Sequence, residues 1–198
     1  MSEQHKKNKR TIIIIFAMSI IPFGIAWYMS SNTSWMVGST NNGQLITPPV
    51  TTERNEFVGH DEFSTKNMKE LGGHWILLNV IPNKDCNDIC QQAIHKTKQV
   101  RLMMNKDLTR IRRAVLIVPE VNAELAKQWW KDDTRLLKIK VPDSLAAKLK
   151  QITGADIPEG MLFLMDPLGN IMMQYKTEFD PYNVKRDLKK LLRISQIG

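Results

Sequence analysis

The chain has 198 residues, a net charge of +8, 42% hydrophobic and 24% charged residues, which suits one globular domain with accessory segments and excludes disorder throughout. Two cysteines exclude a disulfide-dense scaffold and a four-thiolate zinc or iron–sulfur site. Ten Gly and nine Pro without a period exclude collagen-like and low-complexity chains.

Lys6, Lys7, Lys9 and Arg10 sit in the first ten residues against Glu3. Part of the basic balance therefore belongs to a short tail, which weakens a nucleic-acid reading. Ile12 to Met29 follows without a charge. As a helix it spans ~27 Å, close to the hydrocarbon thickness of a bilayer. Trp27 and Tyr28 close it where amphipathic rings favour the interface, and the basic residues precede it. A cleaved signal peptide is the competing reading, but Ser30 to Ser34 offers no Ala-x-Ala site. The expected organisation is a cytoplasmic tail over 1–10, a transmembrane anchor over 11–29, a Ser/Thr/Asn/Gly-rich spacer over 30–50 closed by Pro48 and Pro49, and a domain over 51–198 beyond the membrane.

Within the domain, Phe57 to Phe63 suggests a small hairpin. Trp75 to Ile81 is a continuous apolar run, as a strand buried on both faces requires. Pro82 ends it. A helix is expected from near Asp85, the proposed N-cap with Asp88 three residues on, past Met104, with Cys90, Ala93, Thr97, Val100, Met104, Leu108 and Ile111 on one face. Ala114 to Val118 is a second buried strand, Asn122 to Trp130 a helix and Leu136 to Val141 a strand. Asp143 is expected to cap a helix over Ser144–Ile152. Met161 to Met165 and Ile171 to Tyr175 form a hairpin around Asp166 to Asn170, and Pro181 opens a last helix to Arg193. This alternation is α/β with short crossovers around one sheet.

Cys86 and Cys90 stand four residues apart at the expected helix start. On a helix, such residues share a face at a separation near the upper limit for a disulfide. The helix N-terminus favours a thiolate, with Cys86 as the exposed attacking thiol and Cys90 as the resolving one. Three readings stay open: a redox pair, a soft Cu(I) site that wants a further ligand, and a structural or inert pair. A disulfide closing so small a loop adds little chain-entropy stabilisation, which argues against a purely structural role.

The order strand, Cys86-Asn87-Asp88-Ile89-Cys90, long helix resembles the thioredoxin-like superfamily. The C-x-D-I-C form is similar to the Sco/SenC proteins, membrane-anchored copper-binding factors of cytochrome c oxidase assembly. Leu164-Met165-Asp166-Pro167-Leu168-Gly169 resembles their strand–turn segment. Asn42 to Pro49, Asp166 to Asn170 and Leu191 to Ser195 are similar to a group of Sco-like bacterial membrane proteins. The resemblance implies a thioredoxin-like domain on a single-pass anchor in the bacterial cytoplasmic membrane, with the domain in the periplasm. It implies assistance to oxidase biogenesis by thiol–disulfide exchange or Cu(I) handling at Cys86 and Cys90, with the bilayer and oxidase subunits or their assembly factors as partners. The different-class reading is a non-enzymatic assembly or scaffold subunit. One departure stands out: by the family's spacing, the third copper ligand, a His, falls on Pro158. Ile157-Pro158-Glu159 instead resembles the cis-proline turn that faces the cysteines in thioredoxins.

His5, His60, His74 and His95 are each expected at the surface, and the methionines, Met161, Met165 and Met172 among them, in the core. Lys96, Lys98, Arg101, Lys106, Arg110, Arg112 and Arg113 form a basic stretch, read as a solvated helix face or a surface for anionic lipid or an acidic partner. Trp129-Trp130 is a core-and-rim pair or a docking knob. No Gly-rich phosphate loop, Gly-x-Ser-x-Gly elbow or His-Glu-x-x-His motif occurs, which leaves kinase, hydrolase and zincin readings without support.

Overall fold

A computed structural model describes residues 3–32, 40–154 and 156–197. The chain divides into two compact units, Met1–Thr40 and Asn41–Gly198. In the first, helix α1 runs from Glu3 to Ser31 without a break between the expected tail and anchor. Its stretch Lys7–Ser31 is long and apolar enough to cross a membrane, and none of its most apolar window is buried. Side chains such as Ile13, Phe23 and Trp27 are exposed, as a helix facing lipid requires.

The second unit is a seven-stranded sheet with helices on both faces. Its strands are β1 (Gln44–Thr51), β2 (Val58–Gly59), β3 (Trp75–Ile81), β4 (Ile111–Ile117), β5 (Leu137–Lys140), β6 (Leu162–Met165) and β7 (Asn170–Tyr175). The helices are α2 (Glu62–Asn67), α3 (Asp88–Leu102), α4 (Ala123–Trp129), α5 (Asp143–Thr153) and α6 (Pro181–Ile194). Strand order is β1-β7-β6-β3-β4-β5-β2. β3, β4 and β5 are parallel, whereas β6, β7, β1 and β2 join antiparallel.

Every residue of β3 is buried, which is why its sequence is a continuous apolar run rather than an alternation. Ile76, Leu78 and Val80 pack on one face with Leu145 and Leu149 of α5. Trp75 and Leu77 pack on the other with Val100 of α3 and Val184 and Leu188 of α6. Each such buried aliphatic side chain contributes ~1.5–3 kcal/mol.

Several expectations are corrected. The expected spacer ends earlier: residues 33–39 lie outside the described residues, and residues 44–50 belong to β1. β1 is an edge strand whose register shifts between Leu45 and Val50, the kind of strand that accommodates Pro48 and Pro49 without losing a ladder donor. No hairpin forms over 57–63. Val58–Gly59 pairs with Ile139–Lys140 of β5, and Asp61 caps α2 by accepting from Ser64 N at 2.8 Å. α3 stops at Leu102, and Asn105–Arg110 forms a 3-10 turn, so Ile111 belongs to β4. Pro142, not Asp143, occupies the N-cap of α5. The basic stretch is not one solvated face. Arg112 pairs with Glu70 at 2.6 Å, Arg110 donates to Leu192 O and Ser195 O, and Arg113 is buried.

Where the second unit begins, a buried carboxylate holds the chain. Asp187 of α6 is 2% exposed. Its Oδ2 accepts from Asn42 N (2.8 Å), Gly43 N (2.9 Å) and Tyr175 OH (3.0 Å), and its Oδ1 from Asn42 Nδ2 (2.8 Å). A Cβ on Gly43 would lie 2.7 Å from Met173 Sδ and the Tyr175 ring, so only glycine lets the backbone reach the carboxylate. Burial, and then the Asp187 charge, hold the Tyr175 hydroxyl far above its ordinary range, so it stays a donor. Asp187→Ala is expected to leave these donors unpaired and lower stability by ~2–4 kcal/mol, measured by urea unfolding of the full chain in detergent micelles.

Candidate functional site

The parallel strands β3, β4 and β5 end on one side of the sheet. Antiparallel β6 starts there, because Leu162 pairs with Asn79. The loops after β3 and β4 and the loop before β6 therefore meet at this edge, where α/β sheets commonly place their sites. The expected strand–turn segment at Asp166 to Gly169 lies at the opposite edge. Gly73 N, just before β3, donates to Pro167 O, and Asp166 Oδ1 accepts from Leu168 N and Asn170 N.

Cys86 and Cys90 form a disulfide, with an S–S distance of 2.04 Å and Cα atoms 5.3 Å apart. The helix is capped one residue later than its first cysteine: Asn87, not Asp85, is the N-cap, and its side chain accepts from Cys90 N at 3.0 Å. Cys86 thus lies outside the helix, so the pair need not keep helical spacing. Asp85 instead accepts from Cys86 N at 2.9 Å, and Gln91 Nε2 donates to Cys86 O at 2.9 Å.

The expectation that Cys86 is exposed is overturned. Cys86 is 1% and Cys90 2% exposed, although Asn87, Asp88 and Ile89 between them face solvent. The sulfurs sit in an apolar cluster with Ile81, Ile94, Ile117, Ala126 and Trp130, and Val121 and Trp129 pack on its edge. Ala126 and Trp130 come from α4 and the residue after it. Trp129 and Trp130 meet edge to face, with ring centres 5.5 Å apart and Trp129 on the partly buried side, so they form a core-and-rim pair.

Pro158 does not match the cis-proline expectation. Among the described residues the one cis bond is Thr47–Pro48, and Pro158 is exposed. Its loop nevertheless meets the cysteine segment. Gly160 has φ +74°, and a Cβ there would lie 2.7 Å from Ile89 Cγ2. Glu159 Oε1 accepts from Asn83 Nδ2 at 2.7 Å, and Thr177 Oγ1 donates to Glu159 O at 2.7 Å. The contact with the first turn of α3, between the cysteines, is made by a glycine two residues beyond the proline.

The model of the transmembrane-like, thioredoxin-like C-terminal domain family matches residues 75–195. The chain belongs to this family. Its thioredoxin-like domain is also similar to solved structures of Sco proteins. Apo Sco1 from Thermus thermophilus superposes with a TM-score of 0.54 at 15% identity, over 78% of this chain and 99% of its own. Copper-bound ScoI from Arabidopsis thaliana superposes at 0.50 and 14% identity, over 64% of this chain and 89% of its own. A thiol:disulfide interchange protein from a Bacteroides species gives 0.45 at 10% identity, over 64% and 78%. At these identities the likeness concerns the fold. No curated protein matches the chain by sequence.

The histidines do not complete a ligand set in the thioredoxin-like domain. His95 is exposed, and His74 precedes β3 at the opposite edge. Among the described residues, no group of three or more His, Cys, Asp or Glu stands together. Among those described residues, the two cysteines therefore have no third His, Cys, Asp or Glu grouped with them. His60 lines a cavity of about 380 Å³ with Ile117, Pro119, Val121 and Lys140. Burial, then Lys140, lowers its pKa below 6.5, against Asp61. The unfolded chain then takes up the proton first, so stability is full above about pH 6.5 and falls as pH drops towards the folded value. His60→Gln is expected to flatten this loss between about pH 7.5 and 5.5, read from urea midpoints at each pH.

Proposed function

We propose that the thioredoxin-like domain exchanges its Cys86–Cys90 disulfide with thiols of a partner across the membrane from the basic tail, as a Sco-like factor in cytochrome c oxidase assembly. The observation that carries this is the disulfide itself: the chain's two cysteines, bonded to each other where the buried strand β3 gives way to α3. A partner thiolate attacks one sulfur and forms a mixed disulfide, and the second cysteine leaves as a thiolate. A second partner thiol then breaks the mixed disulfide. The partner dithiol supplies two electrons, is oxidised to a disulfide, and leaves both cysteines reduced. Lys6, Lys7, Lys9 and Arg10 before α1 support an orientation with the tail in the cytoplasm and the domain in the periplasm of a bacterium.

Copper delivery is the second reading, supported by the C-x-D-I-C motif and by two soft sulfur donors. Exchange is favoured because, among the described residues, no third His, Cys, Asp or Glu is grouped with them. A scaffold role, in which the fold serves only as a docking surface, is the reading from a different class.

Equilibration with glutathione or dithiothreitol buffers is expected to give a reduction potential between roughly −270 and −120 mV, the span of exchange-active pairs on this fold. Cys86→Ser or Cys90→Ser should abolish turnover of a disulfide substrate. Cu(I) titration of the reduced full chain should show no stoichiometric, cysteine-dependent site stable against a competing chelator. A tight one-to-one site lost in both Ser variants would favour copper delivery, and full function of Cys86→Ser in oxidase assembly would favour the scaffold.

A further inference from the structure

Exchange requires a thiolate to reach a sulfur in line with the disulfide, yet both sulfurs are sealed at 1–2% exposure. The pieces that seal them differ in how they are held. Ile81 and Ile117 belong to central strands, and Ile94 to the long helix α3. Ala126 belongs to α4, a seven-residue helix that is no part of the sheet, and Trp130 directly follows it. An open groove of about 600 Å³ runs between α3 and α4, walled by Gln91, His95, Lys98, Trp129 and Lys131. A gap therefore separates α3 from the end of α4 and the segment that follows it.

Polar contacts hold the segment that follows α4. Asp133, just beyond Trp130, pairs with Arg113 of β4 at 2.6 Å, with side chains 12% and 4% exposed. Arg113 is itself held beneath α3, donating from Nη2 to Ile94 O at 2.8 Å and from Nε to Thr97 Oγ1 at 3.3 Å. Asp133 N donates to Trp130 O at 2.9 Å, so the ion pair bears directly on the residue that covers the disulfide. On the surface, Lys98 Nζ donates to Asp132 O at 3.0 Å.

We propose that α4 with Trp130 is a gate over the Cys86–Cys90 disulfide, latched by Arg113 and Asp133, and that thiols reach the sulfurs only when α4 swings off α3 by local opening. The proposal rests on the exchange reading and names how that chemistry is controlled. The latch is the part a docking partner must displace, and the groove beside it is where the opening starts. Once the gate is open, a dithiol reduces the pair in the two steps already written, and its sulfurs end in an intramolecular disulfide.

The test uses the full chain in detergent micelles, with dithiothreitol as the probe and thiol alkylation followed by mass as the readout. Native reduction is expected to run at least about a hundredfold slower than in unfolding urea, as for a group protected by local opening. Its rate should rise with urea less steeply than global unfolding does. Asp133→Asn should speed it about tenfold or more, because one buried partner is lost. Lys98→Met, on the surface and safe for folding, should speed it about twofold to threefold. The gate is overturned if native reduction matches the unfolded rate, if its urea dependence equals that of global unfolding, or if Lys98→Met and a folded Asp133→Asn both leave it unchanged. Should Asp133→Asn not fold, the urea dependence and Lys98→Met decide. The exchange reading fails separately, by an equilibrium potential out of reach of thiol buffers, which these rates do not measure.

Discussion

The site depends on how the chain leaves β3. Pro82 ends the strand, and five residues later the side chain of Asn87 accepts from Cys90 N, one of the free backbone donors at the start of α3. Between those two events the chain must turn, and Cys86 falls in the turn rather than on the helix. That placement brings its Cα to 5.3 Å from that of Cys90, inside the ordinary disulfide range, with no demand on the helix itself. A cap at Asp85 would put both cysteines on the helix, one turn apart along one face. The identity of the cap therefore sets the geometry of the sulfur pair.

Around that turn the molecule is built in two tiers. Beneath lies the sheet with β3 buried on both faces, held by aliphatic packing that no single contact dominates. Above lie pieces held by few, specific contacts: the polar pairs Asp133 on Arg113 and Glu159 on Asn83, and the close approach of Gly160 to Ile89. Burial pulls the Arg113 guanidinium below its ordinary pKa, and the Asp133 charge beside it opposes the shift. A buried ion pair of this kind adds little net stability but fixes one arrangement, since losing either member strands the other. That is the property a fastening needs, whereas the sheet needs only bulk.

The start of the second unit follows the same logic. Asp187 gathers Asn42, Gly43 and Tyr175 onto one carboxylate, so the edge strand β1 enters the sheet at a defined place although its own register is irregular. The site and the chain's entry thus each rest on a short polar cluster laid over an apolar frame.

Much of this was legible in the residues alone. The uncharged run before the domain, the buried strands, the α/β order and the placing of Cys86 and Cys90 at a helix start follow from periodicity, composition and spacing, which are local properties. What the residues could not reveal depends on partners distant in the chain. Asp85, Asn87 and Asp88 are all credible caps in isolation, and only the path from β3 selects Asn87. Arg113 reads as one more member of a basic stretch until β4 carries it under α3 to meet Asp133. Pro158 carries the visible turn signal, while Gly160 makes the contact, because closeness to Ile89 is set by where β6 enters the sheet. Above all, the sequence determined that two cysteines would stand four residues apart at the head of a helix, and the tertiary structure alone decided that they would bond and that α4 would cover them, since burial belongs to the packed molecule and not to any segment of it.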